Sequence, residues 1–103
     1  MVSREPAVDW TADPVVQRFR EQISETDRAI LEAVNTRMSL VGQLRDYKEE
    51  RGYPFFDPAR ERRLPDELER ENPGPLSSEG LRELYLLLLD LIKRELAAGS
   101  AAT

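Results

Sequence analysis

The sequence predicts an all-α protein with three helices per chain, the first much the longest and covered by another chain. Three observations predict it. A seam with steps of three and four residues runs unbroken through 13–51. The pair Asp-Pro occurs twice, at Asp13-Pro14 and Asp57-Pro58, each time ahead of helix-forming sequence. The later segment LRELYLLLLDLIKREL is apolar nearly all round, and nowhere is there a strand-like run, a repeat or a glycine-rich phosphate loop.

The first helix is predicted over 13–51. Asp13 can cap it, and Pro14 sits where a missing N–H costs nothing. No proline follows until Pro54, and Gly52 is placed to close the run as a C-cap. The seam reads Arg20, Ile23, Asp27, Ile30, Val34, Arg37, Val41, Leu44, Lys48. This is the spacing of a helix packed against other helices. At ~1.5 Å per residue such a helix spans roughly 58 Å. A compact domain of this size is only about 35 Å across. So long a helix needs cover from another chain.

Gly52-Tyr53-Pro54-Phe55-Phe56 is a connector with an aromatic plug. Asp57-Pro58 then repeats the start signal for a second helix, ARERRLPDELER. Pro65 lies inside it and is expected to kink it or break it, because the ring removes a hydrogen bond and clashes one turn back. ENPGP is a loop, and Ser77 or Ser78 caps a third helix over 78–97. Its apolar girth implies packing on several sides. The expected organisation is one domain over 1–103, a helical body at 14–97, and flexible tails at 1–12 and 98–103. Trp10 lies in the first tail, where it is expected at most to tack that end down.

Composition narrows the chemistry. The chain has 103 residues, no Cys and no His. Thiol nucleophiles, disulfides, histidine bases and the commonest zinc sites are thereby excluded. A formal charge of −5 makes nonspecific nucleic-acid binding a poor reading. No apolar run approaches the ~20 residues that span a bilayer. The start, MVSREPAVDW, lacks the apolar core of a secretory signal, so a cytoplasmic location is expected, with no membrane partner.

Three groups of polar residues stand out. Arg20, Arg37 and Lys48 interrupt the aliphatic seam. Asp57, Arg60 and Glu61 open the second helix. Lys93 and Glu95 mark the polar end of the third. The plainer reading is that such charges are solvated, that Asp27 pairs with an arginine, and that Asp57 is simply a cap. Yet three cations in one apolar seam need partners if they are covered, and a bound dianion would supply them. Arginine suits carboxylates through its planar fork. Arg20 and Arg37 are about 25 Å apart along one helix, so they cannot hold one small molecule together. An antiparallel copy could bring Arg20 beside the partner's Arg37–Lys48 segment, giving a two-fold dimer with shared sites.

Over 16–96 the chain resembles the all-helical AroQ-type chorismate mutases. The likeness is carried by FREQISETDRAILEAVNTRMSLVGQLRDYK, FDPARER and GPLSSEGLRELY, and by the ungapped spacing from Arg20 to Glu61. The resemblance implies three helices per chain, an intertwined dimer with two equivalent sites, and the rearrangement of chorismate to prephenate on the way to phenylalanine and tyrosine. It implies that Arg37 and Arg60, with Arg20 from the other chain, bind the substrate's carboxylates. It implies that Lys48 hydrogen-bonds the ether oxygen and a carboxylate, and that Asp57 and Glu61 hold the ring hydroxyl. This intramolecular reaction needs no nucleophile, metal or cofactor. It needs the substrate clamped near its reacting geometry and positive charge where the breaking C–O bond leaves negative charge.

The third helix departs from the family. Ungapped alignment puts Ile92 and Leu96 where a small or hydroxyl residue and a Gln or Glu are usual. A one-residue shift offers Glu95 instead as the residue reaching the site. To donate to an ether oxygen it must be protonated, which calls for a raised pKa. Other readings on the same fold are a 4-amino-4-deoxychorismate mutase or an isochorismate-pyruvate lyase. A reading of another class is a non-catalytic helical dimerisation or regulatory module. An activating enzyme of the shikimate pathway is a further candidate partner.

Overall fold

The computed structural model describes residues 8–102, with the side chains of residues 100–102 left aside. A short 3₁₀ turn, Trp10–Ala12, precedes α1 (Pro14–Arg51), α2 (Pro58–Glu71) and α3 (Ser78–Ala102). The architecture is all-α, as the periodicity predicts. Packing divides the chain within α1 into two units, Met1–Arg37 and Met38–Thr103.

Both Asp-Pro signals act as caps. The Asp13 carboxylate accepts from Val15 N at 2.8 Å, and its carbonyl accepts from Gln17 N at 3.0 Å. The Asp57 carboxylate accepts from Arg60 N at 3.1 Å. Each carboxylate satisfies a donor that the first helical turn leaves unpaired. Gly52 ends α1 with φ 69°, which carries no steric cost without a Cβ. Gly52 N donates to Glu49 O at 3.2 Å and Tyr53 N to Lys48 O at 2.8 Å. This paired closure is the Schellman arrangement, and it fixes where the chain leaves the helix beside Lys48.

In the unit Met1–Arg37, α1 keeps its apolar residues in the open. Phe19 and Ile23 are 60% and 58% exposed. An uncovered stripe of this kind on a helix calls for a partner surface.

In the unit Met38–Thr103, α2 packs on α3. Its interior is small: Leu81 and Ile92 are 5% and 2% exposed, and Pro65 is buried with them. α2 runs through Pro65 to Glu71 without the expected break. The ring that cannot donate a hydrogen bond is spent on apolar packing instead. Near its end α1 meets α3: Arg45 Nη1 donates to Leu96 O at 3.2 Å, and a Cβ on Gly42 would lie 3.5 Å from Leu96 Cδ2. The apolar run of α3 is not covered on several sides within one chain, for Leu86 is 66% exposed and Leu84, Leu87 and Leu91 are open as well. α3 also continues to Ala102 rather than ending near residue 97. Its closing alanines favour the helix, and Gly99 does not interrupt it. Of the two expected tails, residues 1–7 and 103 lie outside the described residues.

The turn from α2 to α3 is held by Asn72, whose Nδ2 donates to Leu76 O at 2.9 Å and whose Oδ1 accepts from Gly74 N at 3.0 Å. Ser77, rather than Ser78, caps α3 through Gly80 N at 3.0 Å. Arg82 of α3 bridges two acids of α2, Asp66 and, at 2.8 Å, Glu69. The Ser78 hydroxyl and then Arg82 hold the Glu69 carboxyl below its ordinary value of 4.5. A carboxyl whose pKa is lower folded than unfolded adds stability above the unfolded value, and that stability is lost as pH falls through the folded one. At one fixed protein concentration, Glu69→Gln should therefore be less resistant to urea than the wild type at pH 6. The gap should narrow as the pH is lowered below the ordinary carboxyl value. A gap that persists unchanged in acid would remove the charge from this account.

Candidate active site

The cations of the seam are set differently from one another. Arg20 is exposed, and its guanidinium lies over the Trp10 ring at 5.1 Å from the centroid. An exposed cation–π contact of this kind is worth about 0.5–1 kcal/mol. The 3₁₀ turn is what brings Trp10 back over α1, with the Asp9 carboxylate accepting from Thr11 N at 3.1 Å. Trp10, which sequence reading left with no function, is thus tied to a candidate substrate ligand. Arg37 is half-buried on the same helix. Arg20 and Arg37 are 17 residues apart on α1, which puts them about 25 Å apart along its axis.

In the unit Met38–Thr103 the connector between α1 and α2 gathers two lysines. Lys48 Nζ, from the last turn of α1, donates to Phe55 O at 3.2 Å. Lys93 Nζ, from α3, lies 4.3 Å above the Phe56 ring. Consecutive connector residues therefore each hold an ammonium, one through a carbonyl and one through a ring face. Lys93 Nζ also pairs with Glu61, 2.8 Å from Oε1 and 2.9 Å from Oε2. Phe56, Pro58, Glu61, Pro65, Leu86 and Lys93 are among the residues lining a groove of about 700 Å³ between α2 and α3.

The other candidates are placed as follows. Asp57 caps α2, so one oxygen of its carboxylate already accepts a backbone bond. Arg60, one turn on, is exposed. Glu95 is exposed on α3, with no hydrogen bond or ion pair among the described residues. Ile92 is the most buried side chain of the fold, a packing residue with no polar atom to offer. Truncating so buried an isoleucine costs about 2–5 kcal/mol, which makes it a poor position at which to probe catalysis. Besides Arg82, the third-helix side chain that meets α2 chemically is Lys93, and it does so at Glu61. Sequence reading marked it only as part of a polar helix end. Its signal is the first cation after a long apolar run, LYLLLLDLIK.

The family model for chorismate mutase type II matches residues 19–95. The chain belongs to the type II chorismate mutase family. Members are isomerases of aromatic amino-acid biosynthesis, and chorismate is the substrate that membership implies. Two solved structures of chorismate mutase from Thermus thermophilus are similar. Form I shares 31% identity with a TM-score of 0.71, covering 75% of this chain and 96% of the other. Form II shares 29% identity with a TM-score of 0.73, covering 80% and 93%. Comparison with the curated proteins gives no significant match. The matched stretch of the chorismate mutase model contains every candidate residue from Arg20 to Glu95. Among the described residues no helix is long and apolar enough to cross a membrane.

Proposed function

We propose that the protein rearranges chorismate to prephenate in a site shared between two copies of the chain, clamping a dianion with fixed cations. The supporting observation is the family match across 19–95, which takes in all the clamp residues in one continuous stretch. Arg37 and Arg60 bind the substrate's carboxylates, with Arg20 donated by the second copy. Asp57 and Glu61 hold the ring hydroxyl. Lys48 faces the ether oxygen. Its ammonium is already held at Phe55 O, so little rearrangement is needed to meet the charge that develops as the C–O bond breaks. Glu95 is the acid of α3 assigned to the same oxygen.

The dimer is supported by the open apolar stripe at Phe19 and Ile23 and by the open leucines of α3. Each is an apolar surface that a second copy can cover. A cytoplasmic location fits the enzyme family, and an activating enzyme of the shikimate pathway is a further candidate partner.

The experiment that tests the substrate is a side-by-side assay of the pure protein. Chorismate absorbance should fall with prephenate as the product, and 4-amino-4-deoxychorismate and isochorismate should each turn over more slowly. A faster rate with either competitor would reassign the substrate.

A further inference from the structure

The ion pair between α2 and α3 carries an inference about the substrate site itself. Lys93 Nζ spans both carboxylate oxygens of Glu61, at 2.8 and 2.9 Å, and both side chains are half-buried. The same ammonium rests on Phe56, next to the Phe55 carbonyl that holds Lys48. Ammoniums from α1 and α3 thus rest on one short connector, and the second of them also holds Glu61 of α2. This places Lys93 against the residue assigned to the ring hydroxyl, and it rests on that assignment.

A carboxylate in such a position poses a problem. The substrate carries two negative charges, and an uncompensated Glu61 repels it. Two like charges at short range in a partly dry site interact far more strongly than in bulk water. We infer that Lys93 is a positioning residue for the reaction: it cancels the charge of Glu61 and holds its carboxylate so that the remaining lone pairs accept the substrate hydroxyl. The two carboxylate oxygens have about four acceptor sites between them, so one ammonium leaves room for a hydroxyl donor. α3 therefore contributes a cation where sequence alignment offers Ile92 and Leu96 or, one residue shifted, Glu95.

The inference makes a kinetic distinction. Both substrate carboxylates stay ionised from ground state to transition state, so cancelling the Glu61 charge helps both equally. Such uniform binding appears in KM and not in kcat. Lys93→Met should raise KM for chorismate about 10-fold and change kcat by less than about 3-fold. Lys93→Arg, which keeps the charge, should stay within about 3-fold of wild type in KM, and Lys93→Gln repeats the test should the methionine variant not fold. The deciding variant is Lys93→Met with Glu61→Gln. With the acid gone there is no carboxylate left to hold, so its KM should exceed that of Glu61→Gln alone by clearly less than the factor lost in Lys93→Met.

If the double variant is weaker than Glu61→Gln by the full factor lost in Lys93→Met, Lys93 acts on the substrate directly and the positioning role fails. If Glu61→Gln alters kcat/KM while Lys93→Met leaves it unchanged, the inference fails and the site stands. If neither single variant alters kcat/KM, Glu61 is not a substrate ligand and the site assignment falls with it.

Discussion

Lys48→Ala is expected to lower kcat for chorismate by about 10²–10³-fold, with helical content and oligomeric state unchanged. The expectation comes from where charge moves. As the ether C–O bond lengthens, its oxygen gains negative charge, and no proton is available from the substrate to meet it. A fixed ammonium interacts more strongly with that oxygen in the transition state than in the ground state, so its removal falls on kcat. Lys48 suits the task because its position is doubly fixed. Its carbonyl accepts Tyr53 N at 2.8 Å in the closure of α1, and its Nζ is held at Phe55 O at 3.2 Å.

Losing that second bond has a folding cost of only about 0.5–1.5 kcal/mol. The chemical effect, by contrast, is at least a hundredfold in rate. Circular dichroism and size-exclusion chromatography separate the two. A near-wild-type kcat in a folded variant would remove Lys48 from the chemistry. An equal rise in KM with kcat intact would make it a binding residue only.

The sequence was most legible where local chemistry decides structure. Asp13-Pro14, Asp57-Pro58 and Gly52 each carry their meaning within one helical turn, and the structure uses them as caps. What lay beyond sequence was what depends on how helices meet. Pro65 looks like a breaker in isolation, but its ring gains a buried place. The tail 98–103 reads as flexible, yet α3 continues to Ala102, because alanine needs no apolar seam to stay helical.

The contact of Lys93 with Glu61 is the clearest case. One residue of register turns a helix by about 100°, so alignment through a loop of uncertain length cannot say whether residue 92, 93 or 95 faces α2. The loop held by Asn72, with Ser77 as the cap, sets that register, and it turns Lys93 toward Glu61 while Ile92 goes into the core. The same limit applies to Arg20 and Arg37. Their spacing says that they cannot serve one site from one chain, and symmetry offers the remedy.

Mixing an Arg20→Ala chain with an Arg37→Ala chain should therefore recover activity that neither variant has alone. In each hybrid dimer, one site draws Arg37 from the first chain and Arg20 from the second, and so is complete. The other site lacks both. Random reassortment makes about half of the dimers hybrids with one good site in two, so about a quarter of wild-type activity should return. Each variant by itself should show kcat/KM reduced at least about 100-fold, since a carboxylate of the substrate is left without its partner. Exchange needs the long helices to part, so the mixture is refolded together from urea, and hybrids are counted by native mass spectrometry. The open stripe at Phe19 and Ile23 supports exchange as the test, because a second copy can cover it whichever residues do the chemistry. Hybrids that form in the expected proportion and remain as inactive as their parents would show that Arg20 and Arg37 do not meet in one site across the dimer.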